Sequence, residues 1–368
     1  MDSPVVAEFL GHLVRASWQA SILAGVVWLV IRLLGDQLDA GWRCRLWMLV
    51  IVRLAWPVSL PSSVSVFNLF EVPWIMDRGE PDPGTGEPGL LPLLRFLEMP
   101  AVQWVWVAVA GVLGLRMLGA AAWTWWVQRT ARPLDSWDTW WLLQNCKAAA
   151  DCRIPVSVLE SRRVQAPCVL GLVRPRLILP CGLAGELDRE ELRLVFLHEL
   201  AHLSRRDLAM NWLLAAVETI HWFNPIAWHI TRQLRADREE DCDARALESE
   251  PGSGRRYGEV ILKLLDRVGA PADPVSPEMS TPMLGDEEAD IQPLLHRIHA
   301  IRRFRPGART RVVGFCSWLA VALVGLTDPE PAHRWNSEDG DQASGPLLAA
   351  GHRASAVPMN ALHRGWPL

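Results

Sequence analysis

Four apolar stretches stand out along this chain. Ala16 to Ile31 is uncharged and stops at Arg32. Leu46 to about Leu60 contains Arg53, Met99 to Val127 is broken only by Arg116, and Val312 to Thr327 follows a run of arginines. Each predicts an apolar helix. Several are short of the roughly 20 residues that a bilayer core requires, but flanking arginines and tryptophans can extend them by snorkelling. The plain alternative is a set of helices buried in a soluble core. No small-residue cleavage site follows the first stretch, so it does not read as a signal peptide.

Between the third and fourth stretches the pattern changes period. IPVSVLE, CVLGL and RPRLILP, within residues 154 to 180, are β-branched and apolar and read as short strands. Pro167 and Pro175 bracket the middle one, which fits an edge strand. LDREELRLVFLHELAHLSRRD then reads as a helix. Asp188 is an N-cap with Glu191 at the capping-box spacing, and Leu192, Val195, Phe196 and Leu203 form its buried face. Further on, Asn224-Pro225 marks a helix start, so one helix ends near His221 and the next folds back on its predecessors. On this reading Asp207 caps the intervening helix, and His221 and Trp222 pack its corner. From Val268 to Ile301 the chain is proline-rich and acidic, a linker by composition.

Charge orients the apolar stretches. Arg32, Arg43 and Arg45 lie between the first two, and the section after the third opens with Arg129 and Arg132 and closes with Arg297, Arg302, Arg303, Arg305, Arg309 and Arg311. The loop from Pro61 to Pro100 is acidic, with only Arg78 and Arg95. Positive charge favours the cytoplasmic side, so the section from 129 to 311 faces inward. A net charge of −4 gives no support for nucleic-acid binding. The seven cysteines contain no C-x-x-C pair, which removes the zinc ribbon and the redox motif. The 20 tryptophans crowd the apolar segments, as rings at membrane interfaces do.

The candidate chemistry is His198-Glu199-Leu200-Ala201-His202, an H-E-x-x-H on the predicted helix. Histidines four apart share a face, so both can reach one Zn²⁺, and the glutamate between them can take a proton from an attacking water. A plain core helix with two satisfied histidines is the alternative, but it leaves Glu199 without a packing purpose. A peptidase centre needs a third protein ligand and one open position, with carboxylates orienting the histidines. Glu239 and Asp243, four apart on a later helix, suit these roles: Glu239 as ligand, Asp243 holding an imidazole N–H. Glu240 competes, although its i+4 partner is Ala244, and Glu218 and His221 are the other candidates. Arg205, Arg206 and Asp207 directly after the motif argue against a site immersed in lipid. Cys168, Val169, Leu170, Gly171 and Leu172 are the expected substrate strand, since an extended peptide adds to an exposed sheet edge. Tyr257, the only tyrosine, is the candidate for stabilising the oxyanion, ahead of His229 and Arg232.

HELAHLSRRD, HWFNPIAWHI and REEDCDARAL, in this order, resemble the membrane-bound metallopeptidases of BlaR/MecR type. The resemblance covers roughly residues 10 to 327. It implies a gluzincin-type zinc endopeptidase in a cytoplasmic loop of a four-span protein. The metal ligands map to His198, His202 and Glu239, the base to Glu199, and self-cleavage accompanies activation. Relatives that sense β-lactams carry a penicillin-binding domain after the last span. Here no lysine follows Lys263, so an S-x-x-K acylation motif is absent from the tail.

The expected fold is mainly α: a multi-span helical membrane protein with an inserted α+β gluzincin-like domain and a small edge-strand sheet. Residues 1–60 hold two spans, 61–98 an extracytoplasmic loop, 99–128 the third span and 129–267 the peptidase domain. A linker and basic segment follow at 268–311, the fourth span at 312–327 and an extracytoplasmic tail at 328–368. The expected function is a regulatory zinc endopeptidase in the inner membrane that cleaves itself, a transcriptional repressor, or both. Its partners are that protein substrate, the lipid bilayer and a second copy of the chain, with no nucleic acid. A non-enzymatic membrane signalling module and a quality-control protease are the alternatives.

Overall fold

The computed structural model describes residues 4–55, 60–61, 96, 99–269, 297–298, 301 and 309–328. Most of the acidic loop, the linker and the C-terminal tail lie outside the described residues, as does any cleavage site in the linker. The described chain is mainly helical. Helix α1 (Pro4–Leu34) passes through a 3-10 turn into α2 (Ala40–Ala55). Helix α3 (Pro100–Thr130) follows strand β1 (Leu60–Pro61). Among the described residues, two helices are long and apolar enough to cross a membrane, Phe9–Leu34 within α1 and the whole of α3. Helices α2 and α10 (Arg309–Gly325) have 16 and 17 residues. At 1.5 Å per residue they reach about 24 and 26 Å, less than the roughly 30 Å of a bilayer core.

After α3 comes a small sheet interleaved with helices. Strands β2 (Arg132–Pro133), β3 (Ser157–Ser161), β4 (Cys168–Leu170) and β5 (Arg176–Pro180) are ordered β2-β3-β5-β4, with α4 (Trp137–Ala149) between β2 and β3. β3 and β5 run parallel, and β4 pairs antiparallel with β5, Val169 opposite Leu177. β4 is therefore an edge. It is shorter than the sequence suggests, because Gly171 takes φ +98° and turns the chain away. A Cβ there would lie 2.6 Å from the Arg174 carbonyl oxygen and 2.8 Å from Oε1 of Gln128 on α3. Gly171 and Leu172 thus belong to a turn, not to the strand.

A short helix α5 (Leu183–Glu186) leads to α6 (Arg189–Ser204), where Asp188 and Glu191 form the expected capping box. Then come α7 (Asp207–Ile220), α8 (Pro225–Ser249, capped by Asn224) and α9 (Gly254–Gly269). β6 (Thr327–Asp328) pairs parallel with β1. The buried side chains fall into two main cores. One gathers Leu143, Leu177, Phe196, Leu200, Ala246 and Val260 around α6 and the sheet. The other gathers Leu23, Val27, Val50, Ile51, Leu214 and Ile230, and so joins α1 and α2 to α7 and the first half of α8. Helix α8 runs through both, which fixes its second half against α6.

Candidate metal centre

The helical repeat puts His198 and His202 one turn apart on α6, with ring centroids 4.8 Å apart and planes at 85°. Their Nε2 atoms face each other at 3.2 Å. Glu239 comes across from α8, Oε2 3.6 Å from Nε2 of His198 and Oε1 3.6 Å from Nε2 of His202. Ligands about 2.0–2.1 Å from a tetrahedral zinc lie about 3.3 Å apart, close to these separations. Each side chain offers one donor within 4.8 Å of the others, so the residues present fit a zinc ion.

Both imidazoles are held from behind. Nδ1 of His198 lies 3.0 Å from Oδ1 of Asp243 and 2.8 Å from the Tyr257 hydroxyl, which donates to Asp243 at 2.6 Å. Nδ1 of His202 lies 2.9 Å from Oδ2 of Asp207. A carboxylate at each Nδ1 leaves both Nε2 lone pairs turned inward, the arrangement that metal-binding histidines need. Asp243 in turn accepts two hydrogen bonds from Arg297, at 2.9 Å from Nε and 2.8 Å from Nη2, and Nη1 of Arg297 stands 3.5 Å from Glu239. Asp207 is paired with Arg238 at 3.1 Å.

The electrostatics follow. Burial opposes charge on every group here, yet Asp243 and Glu239 together raise the His198 pKa to about 10. The same burial is outweighed at Asp243 by His198 and Arg297, which bring its carboxyl down to about 2. Glu239 is likewise held well below the usual carboxylate range, against burial, by the two histidines and Arg297. Burial and then Asp243 push the Tyr257 phenol up, so it stays a neutral donor. The group of three donors is thus set for a cation, with a proton on His198 standing in for one.

Glu199 is buried on the same helix and lines a cleft of about 1140 Å³ together with His198, His202 and Glu239. It faces β4: burial, and then the charge of Glu199, raise the Cys168 thiol. The cleft also touches Val169, Leu170, Gly171 and Leu172, so the edge strand and its turn border the metal position.

The competing candidates go elsewhere. Glu240 reaches Arg43, Oε2 to Nη2 at 2.5 Å. Glu218 accepts from Thr231 at 2.5 Å and Arg235 at 2.9 Å. His221 sits at the α7–α8 corner between Ser17 and the Leu54 carbonyl. The Tyr257 hydroxyl lies at Nδ1 of His198 and donates to Asp243, while its residue also lines the cleft. Asp207 is not the cap of α7. Arg206 holds the N-cap position with φ 60°, and the buried Asp207 side chain turns back to His202. Sequence reasoning missed this role and that of Arg297. A buried acid five residues past His202, across a helix break, was the available signal for the first. Arg297 gave none, being 54 residues from Asp243. His202, Asp207 and Cys242 also cluster within 4.8 Å, but on the Nδ1 side, where Arg238 already occupies Asp207.

The family described as BlaR1 peptidase M56 matches residues 94–288. The regulatory protein BlaR1 of Bacillus licheniformis is 32% identical over 123 residues, 33% of this chain and 20% of that protein. The methicillin resistance mecR1 protein of Staphylococcus aureus is 32% identical over 109 residues, 29% of this chain and 19% of that protein. The matched part thus spans about a fifth of each curated relative.

Proposed function

The chain belongs to the BlaR1 peptidase M56 family, and from that premise we propose that it is a zinc-dependent endopeptidase of gluzincin type. The observation that carries this reading is the triangle of His198 Nε2, His202 Nε2 and the Glu239 carboxylate, each imidazole backed by its own carboxylate. Zinc held there supplies Lewis acidity, acidifying a water and polarising the scissile carbonyl. Glu199, the acid left free of the metal, takes the proton from the attacking water and returns it to the leaving amine. Asp243 with Tyr257, and Asp207, keep the ring tautomers fixed. The edge of β4 takes the substrate backbone as an added strand; Cys168 to Leu170 supply it and the Gly171–Leu172 turn closes its end.

For the biological setting we propose a regulatory role, the word used in the name of the Bacillus licheniformis relative. We place the chain in the inner membrane, with α1, α2, α3 and α10 as four spans and the peptidase domain on the cytoplasmic side. There it cleaves itself, a transcriptional repressor, or both, as a signalling protease that works as a monomer or a homodimer. The test is reconstitution with zinc and a candidate repressor. Wild type cuts it at one site, and Glu199→Gln keeps the metal and does not cut. Equal cutting by both proteins removes Glu199 as base. Indiscriminate cutting of unfolded chains favours a quality-control protease, and zinc-loaded wild type that cuts nothing favours a non-enzymatic module.

A further inference from the structure

Helices α7 and α8 do not sit beneath the candidate spans; they lie among them. Leu214, Val217, Ala227, Ile230 and Leu234 share one core with Leu23, Val27, Val50 and Ile51. Helix α8 runs antiparallel along α2. At one end Arg43 is paired with Asp237 at 2.9 Å and with Glu240, and a Cβ on Gly41 would lie 2.8 Å from Asp241. At the other end His221 in the α7–α8 corner lies 3.2 Å from the Leu54 carbonyl and 2.9 Å from Ser17 Oγ. Pro225 to Asp237 and Arg43 to Leu54 are each about 17–18 Å of helix, so the two rods match along their whole overlap. Ser17 is about two helical turns inside the apolar stretch that begins at Phe9. A corner level with Ser17 is therefore at membrane depth wherever α1 is.

The corner is built for that depth. Its outward side chains are apolar: Ile220, Phe223 and Ile226 are 37%, 37% and 38% exposed. Its inward carboxylate, imidazole and amide groups are paired, and the buried Trp222 indole N–H has no hydrogen-bond partner among the described residues. Glu218 is bonded to Thr231 and Arg235, His221 to Ser17 and Leu54, and Asn224 caps α8 through the amides of Ile226 and Ala227. Pairing of buried polar groups is common to lipid and water; an outward face of Ile220, Phe223 and Ile226 is what lipid favours. His229 and Arg232 are the exposed polar exceptions on this stretch of α8, beside Trp222 and Trp228 in a shallow pocket. Arg232 stands about 7 Å of helix from the level of Asp237, within reach of its own stem.

We propose that α7 and α8 form a re-entrant hairpin, entering the bilayer from the catalytic side and turning at His221–Asn224 with Ile220, Phe223 and Ile226 against lipid acyl chains. This rests on the membrane reading of α1 given above. The test uses the full chain in nanodiscs of phosphatidylcholine and phosphatidylglycerol, with an environment-sensitive fluorophore on Phe223→Cys in a Cys316→Ser background. Trp18→Cys, on α1 at the same level, and Arg255→Cys, 94% exposed on α9, are the controls. Nitroxide-labelled acyl chains quench Phe223→Cys as strongly as Trp18→Cys, while iodide quenches only Arg255→Cys. If Trp18→Cys is lipid-quenched and Phe223→Cys behaves like Arg255→Cys, the hairpin is overturned and the spans stand. If Phe223→Cys is shielded from both quenchers, a protein surface covers the corner and the lipid contact is overturned. If Trp18→Cys also follows Arg255→Cys, the membrane reading fails and takes the hairpin with it.

Discussion

His198 and His202 illustrate how far single residues can be read. Their spacing, and that of Glu239 and Asp243, reports a helical face, so the three side chains that meet and one acid behind them were legible in order along the chain. Asp207 and Arg297 were not, because their roles depend on where α7 restarts and on where a segment after the linker returns. Two expectations belong at this scale. Asp243→Ala and Asp207→Ala each free one imidazole, and each should weaken zinc binding about 10- to 100-fold, measured by chelator competition; wild-type affinity in both would dissolve the orienting role. His198 in the metal-free protein keeps its proton up to about pH 10. Its pKa is raised, so the metal must displace a proton at any pH below that. Apparent zinc affinity should then rise with pH by up to roughly tenfold per unit between pH 6.5 and 9. A flat profile contradicts the protonated, carboxylate-held ring.

Elements were legible where they carry their own end signals. The Asp188–Glu191 box and the Asn224–Pro225 start sit where the side chains dictate. The two-residue strand β2 has no such signal and exists only because β3 offers Leu159 and Glu160 as partners. Gly171 shows the opposite failure: apolar continuity suggested a longer strand, while the backbone turns at positive φ. Because Leu172 is exposed in that turn beside the cleft, Leu172→Glu should raise KM for peptide cleavage with zinc content unchanged. Parallel loss of zinc would show that the substitution disturbs the fold instead. Asn224→Ala removes two capping bonds from α8 and should cost about 1 kcal/mol, read as a lower unfolding midpoint in detergent.

At the scale of the molecule, the sequence suggests spans and a peptidase domain, and in the structure two buried cores are threaded by one helix, α8. Hydropathy could not reveal this, since α8 is charged over much of its length and joins the core of α1 and α2 through Ala227, Ile230 and Leu234. The link has a consequence: Glu239 is carried by the same helix that Arg43 grips at the start of α2 through Asp237 and Glu240. The proposed orientation has a direct check. An impermeant maleimide should label Arg255→Cys in inverted membrane vesicles and leave it unlabelled in intact spheroplasts, again with Cys316→Ser. The reverse pattern would put the metal centre on the outer face.

The most direct measurement is the metal content of the purified full-length protein beside its Glu239→Ala variant. Three ligands from α6 and α8 around one ion predict about one zinc per wild-type chain and its loss from the variant on mild dialysis. Zinc retained equally by both proteins would contradict the centre itself.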